Sequence, residues 1–390
     1  MRPLRLILVD DERNVLEGLR RLLRPLRATW EVRTATSGVE ALALLDAQPA
    51  DVIVTDMRMP AMDGARLLSI VKERAPDTIR IVLSGQTDHA TALRVIPLAH
   101  QFLGKPCDPV ELLAGLSRIA HALESLNDAT VCEVAGHLGW LPAAPTVCSR
   151  LTTLLRDELV DVTVIGHVIE TDPALATKLL QLTNSPFFGV RRHVSSIVEA
   201  VTYLGLSLVR SLVVAFAVDD LPVRAASFDL GAFQRRSMRT AAMARYLAPR
   251  DRADDCFAAG LLHDLGRLIL ASAMPARYDL IAATAVASGK TFEEEEIALG
   301  GCAPHRALGV YLLNVWGLPW SIVESIANHP FAPTVETKRL GPAGAVYLAR
   351  QLLAEALDAS VVVDLAFVER AGISRALDGF RAHAAELIAT

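Results

Sequence analysis

The chain has 390 residues, of which 52% are hydrophobic and 21% are charged, and this composition excludes an intrinsically disordered protein. Its 39 lysines and arginines and its 44 aspartates and glutamates give a formal net charge of −5, which argues against a nucleic-acid binder that relies on bulk charge. A typical domain has about 150 residues, so the length predicts two or three domains.

The mean hydropathy of +0.34 raises the question of a membrane segment. The best apolar run, Leu212–Val218, has seven residues, whereas a membrane-spanning helix needs roughly 20. The longer stretch Ala258–Met274 contains a histidine, an aspartate and an arginine, and the N-terminus reaches two aspartates too early for a signal peptide. Five cysteines without a CxxC pair favour a reducing compartment. We therefore expect a cytoplasmic protein without a membrane span, whose apolar excess forms buried helical core.

The first part of the chain alternates short apolar or β-branched runs with amphipathic segments. The predicted strands are Leu6–Val9, Glu31–Thr34, Val52–Thr55, Ile79–Leu83 and Gln101–Leu103. The predicted helices are Asn14–Leu23, Val39–Leu45, Ala65–Glu73, Ala90–Leu98 and Val110–Leu123. Strands that alternate with helices in this way predict a doubly wound parallel sheet with helices on both faces.

The second part of the chain is helical in pattern to its end, with leucine or alanine at helical spacing, as at Leu175, Leu179 and Leu182. The short polar stretch ESLNDATVC separates the two patterns. We predict an α/β domain at residues 1–124, a linker at 125–132 and an all-α domain at 133–390, the latter with a core at about 133–335 and further helices packed onto it.

Chemically notable side chains follow four of the predicted strands. Asp10 and Asp11 follow the first strand, Asp56 the third, Ser84 the fourth and Lys105 the fifth. Because the carboxyl ends of parallel strands meet at one edge of a sheet, we expect these residues to converge. Three converging carboxylates need a cation, and oxygen ligands suit Mg²⁺. The alternative, that the acids only cap the following helices, does not explain the whole set.

The motifs around these residues are VDDE, TDMRMPAMDG, LSG and FLGKP, and over residues 4–122 they resemble the receiver domain of two-component response regulators. The resemblance implies a five-stranded flavodoxin-like fold and implies that Asp56 accepts a phosphoryl group from a cognate sensor histidine kinase. It also implies that Asp11, Asp56 and the backbone carbonyl of Arg58 bind Mg²⁺, with Asp10 acting partly through water.

The same resemblance implies a conformational switch that reports phosphorylation. Lys105 would contact the phosphoryl oxygens, and Ser84 and Phe102 would be the hydroxyl and aromatic members of the switch. Phe102 lacks a phenol hydroxyl, so a switch that depends on that hydrogen bond is not expected here. The face formed by the fourth predicted helix, the fifth strand and the fifth helix would rearrange on phosphorylation.

The strongest candidate for a functional site in the helical part is the pair His263-Asp264 within AAGLLHDLGRLIL. The apolar pattern around them predicts one continuous helix, and an adjacent histidine and aspartate in a strongly apolar helix are costly unless they are paired or bind a metal. His305 and His329 are further candidates for the same site. The dipeptide by itself leaves open both a metal site and a buried hydrogen-bonded pair.

Longer stretches over about 133–335 resemble the HDOD domain, a helical regulatory relative of HD-type phosphohydrolases. These stretches are LPAAPTVCSRLTTLL, VIETDPALATKLLQLTNSPFFG, SSIVEAVTYLG, GLLHDLGRLIL and HRALGVYLLNVWGLPWSIVESIANHP. The resemblance implies an output domain for the receiver, whose phosphorylation would change the surface that the helical domain offers to a protein partner.

The sequence departs from the catalytic HD pattern at three places. Arg236 or Ser237 falls where a first histidine ligand is expected, Asn328 precedes His329 where paired histidines are common, and no aspartate stands near Ala349-Arg350. We therefore expect a vestigial site, no metal in this domain and no enzyme activity. The residues of that vestigial site are His263, Asp264, His305 and His329. The alternative is a phosphorylation-gated, metal-dependent phosphodiesterase of a cyclic nucleotide or dinucleotide.

Two further patterns bear on partners. Residues 160–184 could form a helix-turn-helix, but its second helix would carry Lys178 as its only base, so we expect no nucleic-acid binding. The acidic run Glu293–Glu296 is predicted to be a solvated helix start. The expected partners are the kinase and an unknown downstream protein, and a homodimer stays open.

Overall fold

The computed structural model describes residues 3–85, 94–96, 98–105, 108–125, 141, 143–157, 159–188, 192–218, 223–299, 305–333, 340–358 and 360–389. The chain divides into two compact units. The first comprises Met1–Trp140, Gln181–Arg192 and Tyr311–Gly317, and the second comprises Leu141–Leu180, His193–Val310 and Leu318–Thr390.

The first unit is built on a five-stranded sheet in the order β2-β1-β3-β4-β5, in which every neighbouring pair is parallel. The strands are β1 (Leu4–Val9), β2 (Trp30–Ala35), β3 (Val52–Asp56), β4 (Ile79–Gly85) and β5 (Gln101–Lys105). Its described helices are α1 (Arg13–Leu22), α2 (Gly38–Ala47), α3 (Gly64–Arg74) and α4 (Pro109–Ser125). This order confirms the predicted doubly wound parallel sheet.

The central strands of the sheet are buried, and their pairing places two aspartates next to each other. All five residues of β3 are buried, as expected for a parallel strand covered on both faces. Val9 of β1 pairs with Thr55 of β3, so the next residues, Asp10 and Asp56, lie side by side at the carboxyl ends of these strands. Helix starts are fixed by short polar side chains; Asp63, for example, accepts a hydrogen bond from the backbone N–H of Arg66 at 2.7 Å.

The second unit is made of helices. They are α5 (Pro145–Leu154), α6 (Val162–Glu170), α7 (Pro173–Thr183), α8 (Ile197–Leu204), α9 (Leu206–Val218), α10 (Leu230–Leu247), α11 (Ala253–Leu262), α12 (Leu265–Ala273), α13 (Pro275–Ser288), α14 (Phe292–Leu299), α15 (His305–Val315), α16 (Trp320–Asn328), α17 (Pro342–Leu357), α18 (Leu365–Arg370) and α19 (Leu377–Ala389). The last residues of α7 and α15 fall within the ranges of the first unit. An apolar core joins α10, α11, α17, α18 and α19, so the C-terminal helices are packed onto this unit as predicted.

The pair His263-Asp264 lies between two helices, because α11 ends at Leu262 and α12 begins at Leu265. The sequence pattern had suggested one continuous helix here. The stretch Arg250–Ala273 is long and apolar enough to cross a membrane, but 83% of its most apolar window is buried inside the protein. It is therefore a core segment of the helical unit.

The predicted elements of the first unit match the observed ones to within two residues at each end, where they are described. The predicted helix Ala90–Leu98 lies mostly outside the described residues, as does the predicted linker 125–132. Cys148 and Cys256 are buried and form no disulfide within the described residues, and the other cysteines lie outside the described part.

Candidate functional site

The first unit brings Asp10, Asp56 and Lys105 together at the carboxyl edge of its sheet. The Lys105 Nζ atom lies 2.7 Å from Asp10 Oδ2 and 2.5 Å from Asp56 Oδ1, so one ammonium group bridges two carboxylates. Asp10 and Asp56 are buried and Lys105 is half-buried. The expectation that these three strand ends converge is therefore met.

The second carboxylate oxygen of each aspartate is held by a backbone N–H group. Asp10 Oδ1 accepts a hydrogen bond from Glu12 at 3.0 Å, and Asp56 Oδ2 accepts one from Arg58 at 3.0 Å. Asp11 and the side chain of Arg58 are exposed beside them. The oxygens are thus fixed in place, while an open side is left next to Asp11.

Gly64 lets the loop after β3 fold back onto the site. A Cβ atom at this position would overlap the backbone carbonyl oxygen of Asp56, and the Gly64 N–H donates to the Met57 oxygen at 3.0 Å. Glycine is therefore required here by the close approach of two backbone segments.

The two predicted switch residues are placed differently. Phe102 lies on β5 opposite Val82, and its ring is buried, which suits an aromatic side chain without a hydroxyl to satisfy. Ser84 lies on β4 opposite Gly104, but its side chain is outside the described part of the chain.

The charges at this edge of the sheet are unbalanced. Among the described residues, three carboxylates, from Asp10, Asp11 and Asp56, stand next to one ammonium group, that of Lys105. Burial lowers the pKa of Lys105, but its hydrogen bonds to the two carboxylates outweigh this, so the pKa lies above its ordinary value. The site keeps an excess of hard oxygen ligands, and this donor set fits Mg²⁺.

The helical unit contains a second cluster, formed by Asp264, His305 and His329. One possible ligand atom from each of these buried residues lies within 4.8 Å of the others. Asp264 Oδ1 and His305 Nε2 are 3.5 Å apart, and neither has a hydrogen-bond partner in the part of the chain that the structure describes. His263 lies beside this group: its ring packs edge-to-face against His329, with the ring centroids 5.3 Å apart, and its Nδ1 donates to the Gly260 carbonyl at 2.7 Å.

Three arginines surround this cluster. Arg236 and Arg267 each place a guanidinium nitrogen 3.4 Å from Asp264 Oδ2. Arg350 donates to the His329 carbonyl at 3.2 Å and to Glu293 Oε1 at 3.3 Å. Two of these arginines, Arg236 and Arg350, therefore lie at positions where the sequence departs from the catalytic HD pattern.

The acidic run lies at the start of α14 as predicted, but only Glu294 is exposed to solvent; the prediction was wrong for Glu295 and Glu296, which are buried, and for Glu293, which is half-buried. Glu296 is buried, accepting from the His305 backbone N–H at 2.6 Å and facing His305 Nδ1 at 2.8 Å. Glu293 faces His329 Nε2 at 3.2 Å. Their roles could not be read from four consecutive acids, because the partners lie on other helices.

Electrostatics in this cluster follow burial and the arginines. Burial opposes ionisation of Asp264, but the charges of Arg267 and Arg236 more than offset this, and its pKa lies below the ordinary value. Despite burial, the hydrogen bond with His329 and the charge of Arg350 lower the pKa of Glu293 to about 2. Burial lowers the pKa of His263 to about 3, so its ring is neutral.

Family models match both units of the chain. A model described as the response regulator receiver domain matches residues 6–117, and a model described as the HDOD domain matches residues 141–331. The chain is a response regulator with an HDOD domain. This agrees with the two site geometries, since the strand-end aspartates lie in the receiver and the His–Asp cluster in the HDOD domain.

The MmoQ response regulator of Methylococcus capsulatus is similar in structure, at 26% sequence identity and a TM-score of 0.51 over 62% of this chain and 98% of that one. The hydrogenase transcriptional regulatory protein HoxA of Cupriavidus necator is 39% identical over 109 residues, 27% of this chain and 22% of HoxA. The DNA-binding transcriptional regulator NtrC of Salmonella typhimurium is 32% identical over 157 residues, 39% of this chain and 33% of NtrC. The chain thus spans a third or less of these two curated relatives.

Proposed function

We propose that this response regulator accepts a phosphoryl group on Asp56 from a sensor histidine kinase and thereby controls a non-catalytic HDOD domain. The bridge from Lys105 to Asp10 and Asp56 is the observation that carries the proposal, because it places a nucleophilic carboxylate beside a fixed cation. The proposed domains are residues 1–124 and 133–390, joined by 125–132.

In the proposed reaction a carboxylate oxygen of Asp56 attacks the phosphorus of a phosphohistidine on the kinase. The new O–P bond forms as the P–N bond breaks, and the histidine leaves with the electron pair and takes up a proton from solvent. Lys105 is already 2.5 Å from Asp56 Oδ1, so its ammonium is in place to contact the transferred phosphoryl oxygens. The Arg58 N–H keeps the other oxygen from rotating.

Asp10, Asp11 and Asp56, with the Arg58 backbone carbonyl, are the groups proposed to hold Mg²⁺. When bound, the ion would offset the negative charge that accumulates between the carboxylates and the phosphoryl group. Ser84 and Phe102 are proposed to report phosphorylation. Phe102 is buried, so its part in the switch would be a change of packing rather than of hydrogen bonding.

The arginines support an HDOD domain that acts by contact rather than by catalysis. A dication at Asp264 would lie beside the guanidinium groups of Arg236 and Arg267, and this repulsion opposes binding. The proposed output is a surface that binds or releases a downstream protein when the receiver is phosphorylated.

Burial of α7 supports a partner that is not a nucleic acid. This helix would be the second helix of a helix-turn-helix, yet all of its residues from Pro173 to Thr183 are buried, Lys178 among them. A helix that reads a DNA groove must present polar side chains to solvent. A cytoplasmic location fits these proposed partners, and a homodimer stays open.

Labelling of the full chain with acetyl phosphate, read by phosphate-affinity electrophoresis, tests the phosphorylation site. We expect Asp56→Asn to abolish the shifted band. Asp46→Asn is the matched control, since Asp46 is an exposed aspartate whose partner, Arg74, is 3.6 Å away and also exposed. Equal labelling of the wild type and Asp56→Asn, or equal loss in both variants, would overturn the assignment.

A metal-dependent phosphodiesterase is the second candidate for the HDOD domain. It is favoured by one observation: Asp264 Oδ1 and His305 Nε2 face each other at 3.5 Å, and neither has a hydrogen-bond partner among the described residues. Metal analysis of the purified full chain decides between the two. A stoichiometric transition metal that is lost in His305→Ala, with turnover of a cyclic dinucleotide, would favour the enzyme; a metal-free protein without turnover favours the contact module.

A further inference from the structure

A cleft between α5 and α9 in the HDOD domain lies outside both clusters described above. Its volume is about 320 Å³, and its lining residues are Thr152, Leu155, Arg156, Arg210, Val213 and Val214. Leu155 and Val213 are each 1% exposed and form the apolar floor, whereas Val214 is 50% exposed at the opening. The cleft therefore offers an apolar surface that solvent reaches.

Two unpaired cations flank this apolar floor. Arg156 and Arg210 are exposed, and within the described residues neither guanidinium group has an ion pair or a side-chain hydrogen bond. The Thr152 hydroxyl is already used, since it donates to the Cys148 carbonyl at 2.8 Å. The hydrogen-bond donors that the lining side chains leave available are thus the two guanidinium groups, whose planar form pairs best with carboxylates.

We infer that this cleft binds an acidic segment of a partner protein, with one apolar side chain in the cleft and neighbouring carboxylates on Arg156 and Arg210. An apolar centre with a charged rim is the usual anatomy of a protein contact. A small ligand would need a more enclosed site, because such pockets cover most of the ligand surface. Nucleic acid would need a longer row of cations than two arginines provide.

The inference rests on the proposed contact-based output, and it specifies the chemistry of the partner. A displayed library of random 12-residue peptides, selected on the immobilised full chain and depleted on Arg156→Glu/Arg210→Glu, tests it. We expect the enriched peptides to carry a leucine or an aromatic residue next to aspartate or glutamate. Absence of enrichment over the variant, or enrichment of basic or uncharged peptides, would overturn the inference.

Affinity of the best peptide gives the second readout, by fluorescence anisotropy with the full chain. We expect binding at least 10-fold weaker for Arg156→Ala/Arg210→Ala and for Val214→Glu, and less than 2-fold weaker for Arg235→Ala/Arg375→Ala, which removes two exposed arginines elsewhere in the domain. Equal weakening by both double variants would count against the cleft. Circular dichroism melting identifies any variant that fails to fold. If Arg156→Glu/Arg210→Glu fails to fold, the single change Val214→Glu still tests the cleft.

The outcome separates the cleft from the phosphorylation mechanism. Peptide binding at the cleft combined with unlabelled Asp56 would leave the docking site standing and remove the receiver mechanism. Labelling of Asp56 without enrichment of acidic peptides would support the receiver mechanism and overturn the docking site.

Discussion

The receiver and the HDOD domain each gather carboxylates next to basic side chains, but they balance the charge differently. At the receiver site the ammonium of Lys105 faces both Asp10 and Asp56, with Asp11 exposed nearby. In the HDOD cluster Asp264 faces two arginines. The receiver site has carboxylates in excess and can bind a cation. In the HDOD cluster, guanidinium groups of the protein itself already compensate the charge of the Asp264 carboxylate.

The two clusters also share a construction principle. Each contains a glycine without which two backbone segments could not meet: Gly64 against Asp56 in the receiver, and Gly266 against the His305 carbonyl in the HDOD domain. The similarity shows that close backbone packing positions both sets of side chains, and that charge balance is what separates them.

Chelation should separate the two clusters most strongly. Removal of Mg²⁺ with EDTA is expected to lower acetyl phosphate labelling of the wild type by about 100-fold, because uncompensated carboxylates repel the incoming phosphoryl group. The melting of the HDOD helices, followed by circular dichroism, should not change. Labelling that persists in EDTA, or a fall of several degrees in the melting temperature of the HDOD domain, would contradict this difference between the two clusters.

Substitution of the two close-approach glycines tests the shared construction. Gly266→Ala is expected to destabilise the HDOD domain by about 3 kcal/mol, because its Cβ would overlap the His305 carbonyl oxygen. Gly64→Ala should cost the receiver about 1–3 kcal/mol and reduce labelling of Asp56 for the same reason.

Matched controls exist in both domains for these substitutions. Gly18 in α1 and Gly379 in α19 have no atom within 4 Å of an added Cβ, so alanine there should raise stability by up to about 1 kcal/mol through helix propensity. Chemical unfolding, with each domain's transition fitted separately, gives the values. Equal effects in all four variants would refute the packing argument.

Removal of the Asp264 carboxylate tests internal charge compensation in the HDOD domain. Asp264→Ala should destabilise this domain by about 2–3 kcal/mol, since Arg267 would lose its buried partner while Arg236, which is partly exposed, regains solvent. Asp254→Ala removes an exposed acid that pairs with Arg245 and should cost less than about 1 kcal/mol. Comparable losses in unfolding free energy for the two variants would contradict the assignment.

A pH titration tests the burial of His263 in the HDOD domain. The pKa of His263 is about 3 in the folded protein, while an unfolded histidine has a pKa of about 6.5. Between these values only the unfolded chain binds the proton, so stability is full above pH 6.5 and falls by about 1.4 kcal/mol per unit as the pH drops.

Unfolding free energies of the HDOD domain between pH 7.5 and 5 measure this slope. His263→Gln should flatten it, whereas His167→Gln, which changes a largely exposed histidine, should leave it close to the wild type. An unchanged slope in His263→Gln would show that other groups set the acid sensitivity.

The receiver site could be predicted almost entirely from the sequence. Strand ends are marked by local apolar runs, and parallel strands bring their carboxyl ends to one edge, so the positions of Asp10, Asp56 and Lys105 in the sequence already imply their meeting. The backbone N–H groups that hold the carboxylates, and the side on which Asp11 stays open, required the tertiary structure.

The sequence predicted which residues form the HDOD cluster, but not which charged groups surround them. The sequence identified Asp264, His305 and the missing ligands, yet the arginines that compensate Asp264 and the acids on α14 that hold the histidines became visible only in the fold. Helical spacing says which residues share a face of one helix, whereas helix packing decides which side chains from distant helices meet. The sequence thus determined the domain order and the aspartate proposed as the phosphorylation site, while the tertiary structure decided which charges compensate one another.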